Sequence, residues 1–159
     1  MDIATFEICD LKAVRDTILQ IQREEFGIAI TAEDQPDLGD IPQYYQKGRG
    51  EFWVVKADGR IVGTIGLKDI GRSQAALRKM FVAAPYRGAA LGVSGLLLRT
   101  LLRFAREHGI ERIFLGTTDK FLAAHRFYEK NGFSEIRKSD LPGEFPVMVV
   151  DTKFYAIDL

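Results

Sequence analysis

Leu77-Arg78-Lys79-Met80-Phe81-Val82-Ala83-Ala84-Pro85-Tyr86-Arg87-Gly88-Ala89-Ala90-Leu91-Gly92-Val93-Ser94-Gly95-Leu96-Leu97-Leu98 is the stretch on which the fold turns. A strand candidate over Ala75 to Val82 ends at Pro85. A loop of small residues follows, and Val93, Leu96, Leu97, Leu101, Phe104 and Ala105 then recur at helical spacing as far as Gly109. Backbone amides at such a helix start have no internal partners and lie at the positive end of the helix dipole, so they suit a phosphate or diphosphate. The loop lacks the Gly-Lys-Ser/Thr ending of a nucleotide-hydrolase loop, and Gly88, Gly92 and Gly95 do not have dinucleotide-fingerprint spacing. Taken alone, the small residues are equally explained by close helix packing.

Upstream, Ile3 to Cys9 alternates like a strand, and Asp10 is placed to cap a helix that carries Val14, Ile18 and Ile21 on one face and stops at Gly27. Thr31 to Gly50 is polar and broken by Pro36, Gly39, Pro42 and Gly48, with room for one short helix around Tyr44 and Tyr45; such a stretch often covers a cleft. Asp58-Gly59 between Glu51–Lys56 and Arg60–Ile65 is a hairpin signal. Downstream, Ile110 to Gly116 reads as a buried strand and Lys120 to Lys130 as a helix closed by Asn131-Gly132. Phe133 to Lys138 and Val147 to Ile157 hold the last strands. The order has a βαβ-like centre within a mixed pattern, with no repeat and no linker, so residues 1–159 are expected to form a single domain.

Composition narrows the function. The 159 residues are 47% hydrophobic, ordinary for one globular domain. Lys plus Arg and Asp plus Glu are 22 each, which leaves no excess positive field for nucleic acid or an anionic membrane. Cys9 is the lone cysteine and His108 and His125 the only histidines, so no disulfide, thiolate zinc cluster or other metal site is expected. The amino terminus lacks a basic segment leading into an apolar stretch, and no apolar run approaches the ~20 residues that span a bilayer. The expected location is the cytoplasm.

A second segment, Gly116-Thr117-Thr118-Asp119-Lys120-Phe121-Leu122-Ala123-Ala124-His125-Arg126-Phe127-Tyr128-Glu129-Lys130-Asn131-Gly132-Phe133, follows the strand candidate. Together the two segments resemble the GNAT superfamily of acyl-CoA N-acyltransferases. Pro85 to Gly92 looks like that family's Pro-x-x-Arg-Gly-x-Gly-type loop, and Ala124 to Phe133 like its Ala-x-x-Phe-Tyr-x-x-x-Gly-Phe-type helix. The specific resemblance covers about residues 77–136. In the family's Gln/Arg-x-x-Gly-x-Gly/Ala pattern, anchoring on Arg87 puts Ala90 in place of the first glycine, while anchoring on Gly88 puts Pro85 in the Gln/Arg place. An alanine amide donates as well as a glycine amide unless φ must be positive or the ligand leaves no room for a methyl group.

The resemblance implies a single-domain α/β fold with a mixed, mostly antiparallel sheet and helices on both faces. It also implies an N-acetyltransferase that moves an acetyl group from acetyl-CoA, a cosubstrate, to an amine on a small molecule or peptide. Arg87, Gly88, Ala89, Ala90, Leu91, Gly92 and Val93 would hold the diphosphate, and Met80, Phe81 and Val82 would pair with the pantetheine arm by strand addition. Tyr128 would be the general acid, since a phenol of ordinary pKa ~10 keeps its proton at neutral pH and can give it to a leaving thiolate. With Cys9 placed in the first strand, direct transfer in a ternary complex is favoured over an acyl-enzyme. A non-catalytic acyl-CoA-binding module is the alternative. Many relatives dimerise, and a homodimer is compatible with the sequence. No base is evident: Glu25, Asp119, Glu144 and Asp151 are the carboxylates weighed, and His125 is more simply a satisfied histidine. Arg99, Arg103 and Arg106 read as a solvated helix face, Trp53 as core, and Tyr44 and Tyr45 as candidate cleft residues.

Overall fold

Asp58 and Gly59, both at positive φ (51° and 74°), reverse the chain between β2 (Glu51–Ala57) and β3 (Arg60–Gly71). Gly tolerates that conformation without strain and Asp better than most residues, which is why this pair makes the hairpin. In the computed structural model, which describes all of residues 1–159, the hairpin is the first part of a seven-stranded sheet. The other strands are β1 (Asp2–Thr5), β4 (Gln74–Val82), β5 (Arg112–Thr117), β6 (Ser134–Ile136) and β7 (Lys153–Asp158), in the order β1-β2-β3-β4-β5-β7-β6. Only β4 and β5 are parallel; every other neighbour is antiparallel. Their crossover is α3 (Val93–Glu107), as a parallel connection requires.

Helices cover both faces. Leu97, Leu98 and Leu101 of α3 are buried with Val55, Ile65 and Ile113 of the sheet, each leucine contributing roughly 2 kcal/mol by leaving water. Gly63 lets α3 sit close, because a Cβ there would lie 3.1 Å from Leu97 and 3.2 Å from Val93. On the opposite face α1 (Leu11–Leu19) buries Val14 and Ile18 against Ile41, Tyr45, Phe52 and Val54. The chain continues α1 as a π-helical turn over Gln20–Glu25, with Phe26 N donating to Ile21 O at 3.1 Å, and Gly27 at φ 63° ends it. The one-turn helix α2 (Ile41–Tyr44) and α4 (Leu122–Lys130) complete the helices.

Two expectations need correction. The first strand stops at Thr5: Glu7 N donates to the Asp10 carboxylate at 3.0 Å and tightens Ile8–Asp10 into a 3-10 turn, so Cys9 is an exposed turn residue rather than a strand residue. Asp10 stands at the cap of α1 but makes no side-chain bond to it, being taken up by Glu7 and by Lys56 at 2.9 Å. The last strand begins only at Lys153. Val147–Val150 is loop, with Met148 N held by Asp151 at 2.9 Å and Val149 fully exposed.

Candidate active site

β4 and β5 are paired only from Gln74↔Arg112 to Ala76↔Phe114. Beyond that, Leu115–Thr117 pair with β7 alone, while Val82 and Phe81 keep their partners on β3. The two parallel strands therefore splay, and the β5-facing edge of Leu77–Val82 has no strand partner. A β-bulge in β4 sets the divergence. Gly66 faces Arg78 and Thr64 faces Phe81, so Lys79 and Met80 together oppose Ile65, with Lys79 at φ 53°. Thr64 Oγ1 donates to Lys79 O at 2.7 Å and fixes the bulge.

β4 runs into the start of α3. Gly92, at φ 67°, is the last residue before the helix, and Gly88 has φ 105°. Arg87 N, Gly92 N and Leu96 N bond to Ala84 O, Gly88 O and Gly92 O. The amides of Gly88, Ala89, Ala90, Leu91, Val93, Ser94 and Gly95 have no acceptor within the chain. A Cβ built at Gly88 or Gly92 would meet nothing within 4 Å, so the cradle is open. Its donors, concentrated at the positive end of a fifteen-residue helix, fit a diphosphate. Ala90 causes no conflict, because positive φ is confined in this loop to glycines.

The Arg87 side chain is otherwise engaged. Its Nε donates to Val82 O at 2.7 Å, its guanidinium pairs with Glu25, and it lies 5.4 Å over the Phe26 ring. Val82 O is thus covered by Arg87 rather than free. Phe26 and Phe81 both meet Phe121 edge-on, at 4.8 and 6.0 Å, joining the π-helical turn, β4 and the start of α4 beside the splay.

Tyr128 projects from α4 into the core next to Phe133 and Tyr155, with centroids 5.6 and 6.1 Å away, and is 5% exposed. Its hydroxyl makes no hydrogen bond within the chain. Since no buried side-chain nitrogen or oxygen lacks a partner, that hydroxyl reaches an opening. Burial raises the phenol pKa above its ordinary value and keeps it protonated.

A splayed parallel pair, an amide cradle and an adjoining helix that carries a buried tyrosine make up the frame of the site. The acetyltransferase (GNAT) family model matches residues 15–133. The chain belongs to the GNAT acetyltransferase family. A GNAT-family acetyltransferase from Staphylococcus aureus Mu50 is 40% identical, with a TM-score of 0.95 over 99% of this chain and 98% of that one. An acetyltransferase from Streptococcus agalactiae 2603 is 31% identical, with a TM-score of 0.94 over 99% and 98%. The N-acetylaspartate synthetase of Rattus norvegicus is 38% identical over 112 residues, which is 67% of this chain but 37% of the synthetase. The chain thus spans little more than a third of that relative's length.

On the side of β4 away from α3, this GNAT chain carries a cavity of about 370 Å³. Tyr44, Asp37 and Arg78 line it, with Pro146–Val150 forming another wall. Lys79 Nζ is buried beneath it, 2.6 Å from Gln35 Oε1 and 3.7 Å from the Asp37 carboxylate, which also accepts from Tyr45 Oη at 2.6 Å. Gln22 and Gln35 exchange two amide bonds of 2.9 Å. Desolvation lowers the Lys79 pKa to about 8, although Asp37 pulls it upward. Asp151, pressed against the Gly116 backbone of β5, has its pKa raised by burial despite the Met148 amide and the nearby Arg78 and Lys79 charges.

Of the carboxylates weighed as a base, only Asp151 lies at the splay, half-buried against the Gly116 backbone. Glu25 is paired with Arg87, and Asp119 and Glu144 are exposed. His125 is buried with Nε2 2.9 Å from Thr118 O, a satisfied core histidine. Trp53 is core and stacks edge-on with Phe104 at 5.2 Å. Arg99, Arg103 and Arg106 are exposed. Arg78, Lys79, Gln35 and Asp37 were not singled out as site residues. The signal in the sequence is two adjacent cations between the apolar runs Ala75–Leu77 and Met80–Val82.

Proposed function

We propose that the chain, as one domain over residues 1–159, transfers an acetyl group from acetyl-CoA to a small primary amine by direct attack in a ternary complex. The observation that carries this is the set of seven unpaired amides at the start of α3, beside the unpaired edge of β4. Acetyl-CoA supplies an activated thioester. Gly88 to Leu91 and Val93 to Gly95 would hold its diphosphate, and Met80, Phe81 and Val82 its pantetheine arm. Fixing the donor beside the amine removes most of the entropic cost of encounter.

Tyr128, protonated and reaching an opening, donates its proton to the leaving sulfur. Burial keeps the phenol protonated at neutral pH, so its proton is available as negative charge develops on the sulfur, and the second proton lost by the acylated nitrogen returns through solvent to restore it. Asp151 takes a proton from the incoming ammonium. A carboxyl whose pKa is raised by burial is a stronger base than an exposed one. Cys9 is exposed, and its chain position outside this frame argues against an acyl-enzyme. No helix is long and apolar enough to cross a membrane, and a free exposed thiol suits a reducing compartment such as the cytoplasm.

The test is thiol release from acetyl-CoA with a panel of amines, alongside calorimetric titration of CoA. Amine-dependent thiol release is expected. Saturable CoA binding without thiol release for any amine would leave only a binding module.

A further inference from the structure

The cavity on the side of β4 away from α3, which the proposed reaction would use as the acceptor site, holds one cation whose donors are largely unused. Arg78 is two residues past the last β4–β5 pair, and its guanidinium carries five N–H groups. One donates to Tyr44 Oη, and no carboxylate lies within 4.0 Å. Buried Lys79 is matched by Asp37 and part-buried Arg87 by Glu25. The cavity's acids are also satisfied within the chain. Asp37 receives Tyr45 and Lys79, and Asp34 receives the amide and hydroxyl of Thr31 at 3.0 Å each. A second cation strengthens the field, since Lys68 Nζ lies 4.2 Å and Arg78 5.3 Å from the Tyr44 ring centroid.

A half-buried guanidinium with four donors open to this cavity is free to take an anion, and its planar fork fits a carboxylate with two parallel bonds. We propose that Arg78 binds the carboxylate of the acceptor, so that the amine acetylated is that of a free amino acid. Tyr44 holds the guanidinium in place by hydrogen bond and ring contact. A cavity of about 370 Å³ admits a molecule of that size. The inference rests on the acetyl-transfer reading above and adds the acceptor's chemistry to it.

The experiment compares thiol release from acetyl-CoA with the twenty free L-amino acids, their carboxamides and the matching decarboxylated amines. At least one free amino acid should be used with kcat/KM about 100-fold above its own amide. In Arg78→Met that ratio should collapse toward one, mainly through KM, while calorimetry still shows CoA binding and so a folded protein. Arg78→Lys, which keeps the charge but not the fork, should fall between. Amides or simple amines used as well as the free acids, or a ratio unmoved in both variants, would overturn the carboxylate assignment and leave acetyl transfer standing. Absence of thiol release with every amine tested, despite CoA binding, would overturn both.

Discussion

The two sides of β4 are built from different materials. The coenzyme side is main chain: one continuous segment from Gly88 to Gly95 presents its amides, and six of its eight residues are Gly, Ala or Ser. The acceptor side is made of side chains, with Gln35 and Asp37, Tyr44, Arg78 and Lys79, and Met148 to Asp151 brought together from four separate parts of the sequence. In the proposed reaction the backbone cradle would recognise what every substrate pair shares, the diphosphate of the carrier. A side-chain cavity recognises what differs, and a few substitutions suffice to change it.

Four substitutions test that contrast. The largest effect is expected from Gly88→Glu, which puts a carboxylate beside the diphosphate at a φ of 105° that only glycine adopts easily. At an effective dielectric near 20, two charges about 4 Å apart repel by roughly 4 kcal/mol, so CoA affinity measured by calorimetry should fall about 1,000-fold. A Cβ there meets no neighbour but strains the backbone at positive φ, so the melting temperature should fall by only a few degrees while the protein stays folded. Tyr128→Phe should lower kcat about 100-fold with CoA affinity unchanged. Wild-type turnover across the pH range would remove Tyr128 from the acid role.

Lys79→Met addresses the acceptor side through pH. Folding lowers the lysine pKa from its ordinary 10.5 to about 8, so between those values the unfolded chain binds more protons and stability rises with pH. The wild type should gain roughly 2 kcal/mol from this group between pH 7 and 9.5 in urea titrations, and the variant should lose that gain whatever its absolute stability. An unchanged pH profile in the variant would show that Lys79 does not titrate there. The smallest effect belongs to Tyr44→Phe, which removes one hydrogen bond to Arg78 and should raise the acceptor KM about five-fold with CoA binding intact.

The same contrast explains what could be read in advance. The Asp58-Gly59 hairpin, the apolar stripe of α3 and the small-residue loop are local patterns, and each element formed where its spacing placed it. The acceptor side depends on a bulge that periodicity does not reveal. In a regular strand Arg78 and Lys79 point to opposite faces. With Lys79 at φ 53°, both reach the neighbourhood of Asp37, and Met80 and Val82 return to the α3 side while Phe81 packs toward α1. Val147–Val150 was misread for a related reason. Its apolar letters suit a strand, but Asp151 closes the segment into a turn. Cys9 left the first strand because the Glu7–Asp10 contact competes locally with sheet pairing.

The central claim, that unpaired amides at the start of α3 grip the carrier's diphosphate while the splayed edge of β4 takes its arm, is tested most directly by a crystal structure with CoA soaked in. The account predicts diphosphate oxygens within hydrogen-bond distance of amides between Gly88 and Gly95, with the arm between Met80–Val82 and Leu115–Thr117. A diphosphate bound elsewhere, with those amides still facing water, would contradict it.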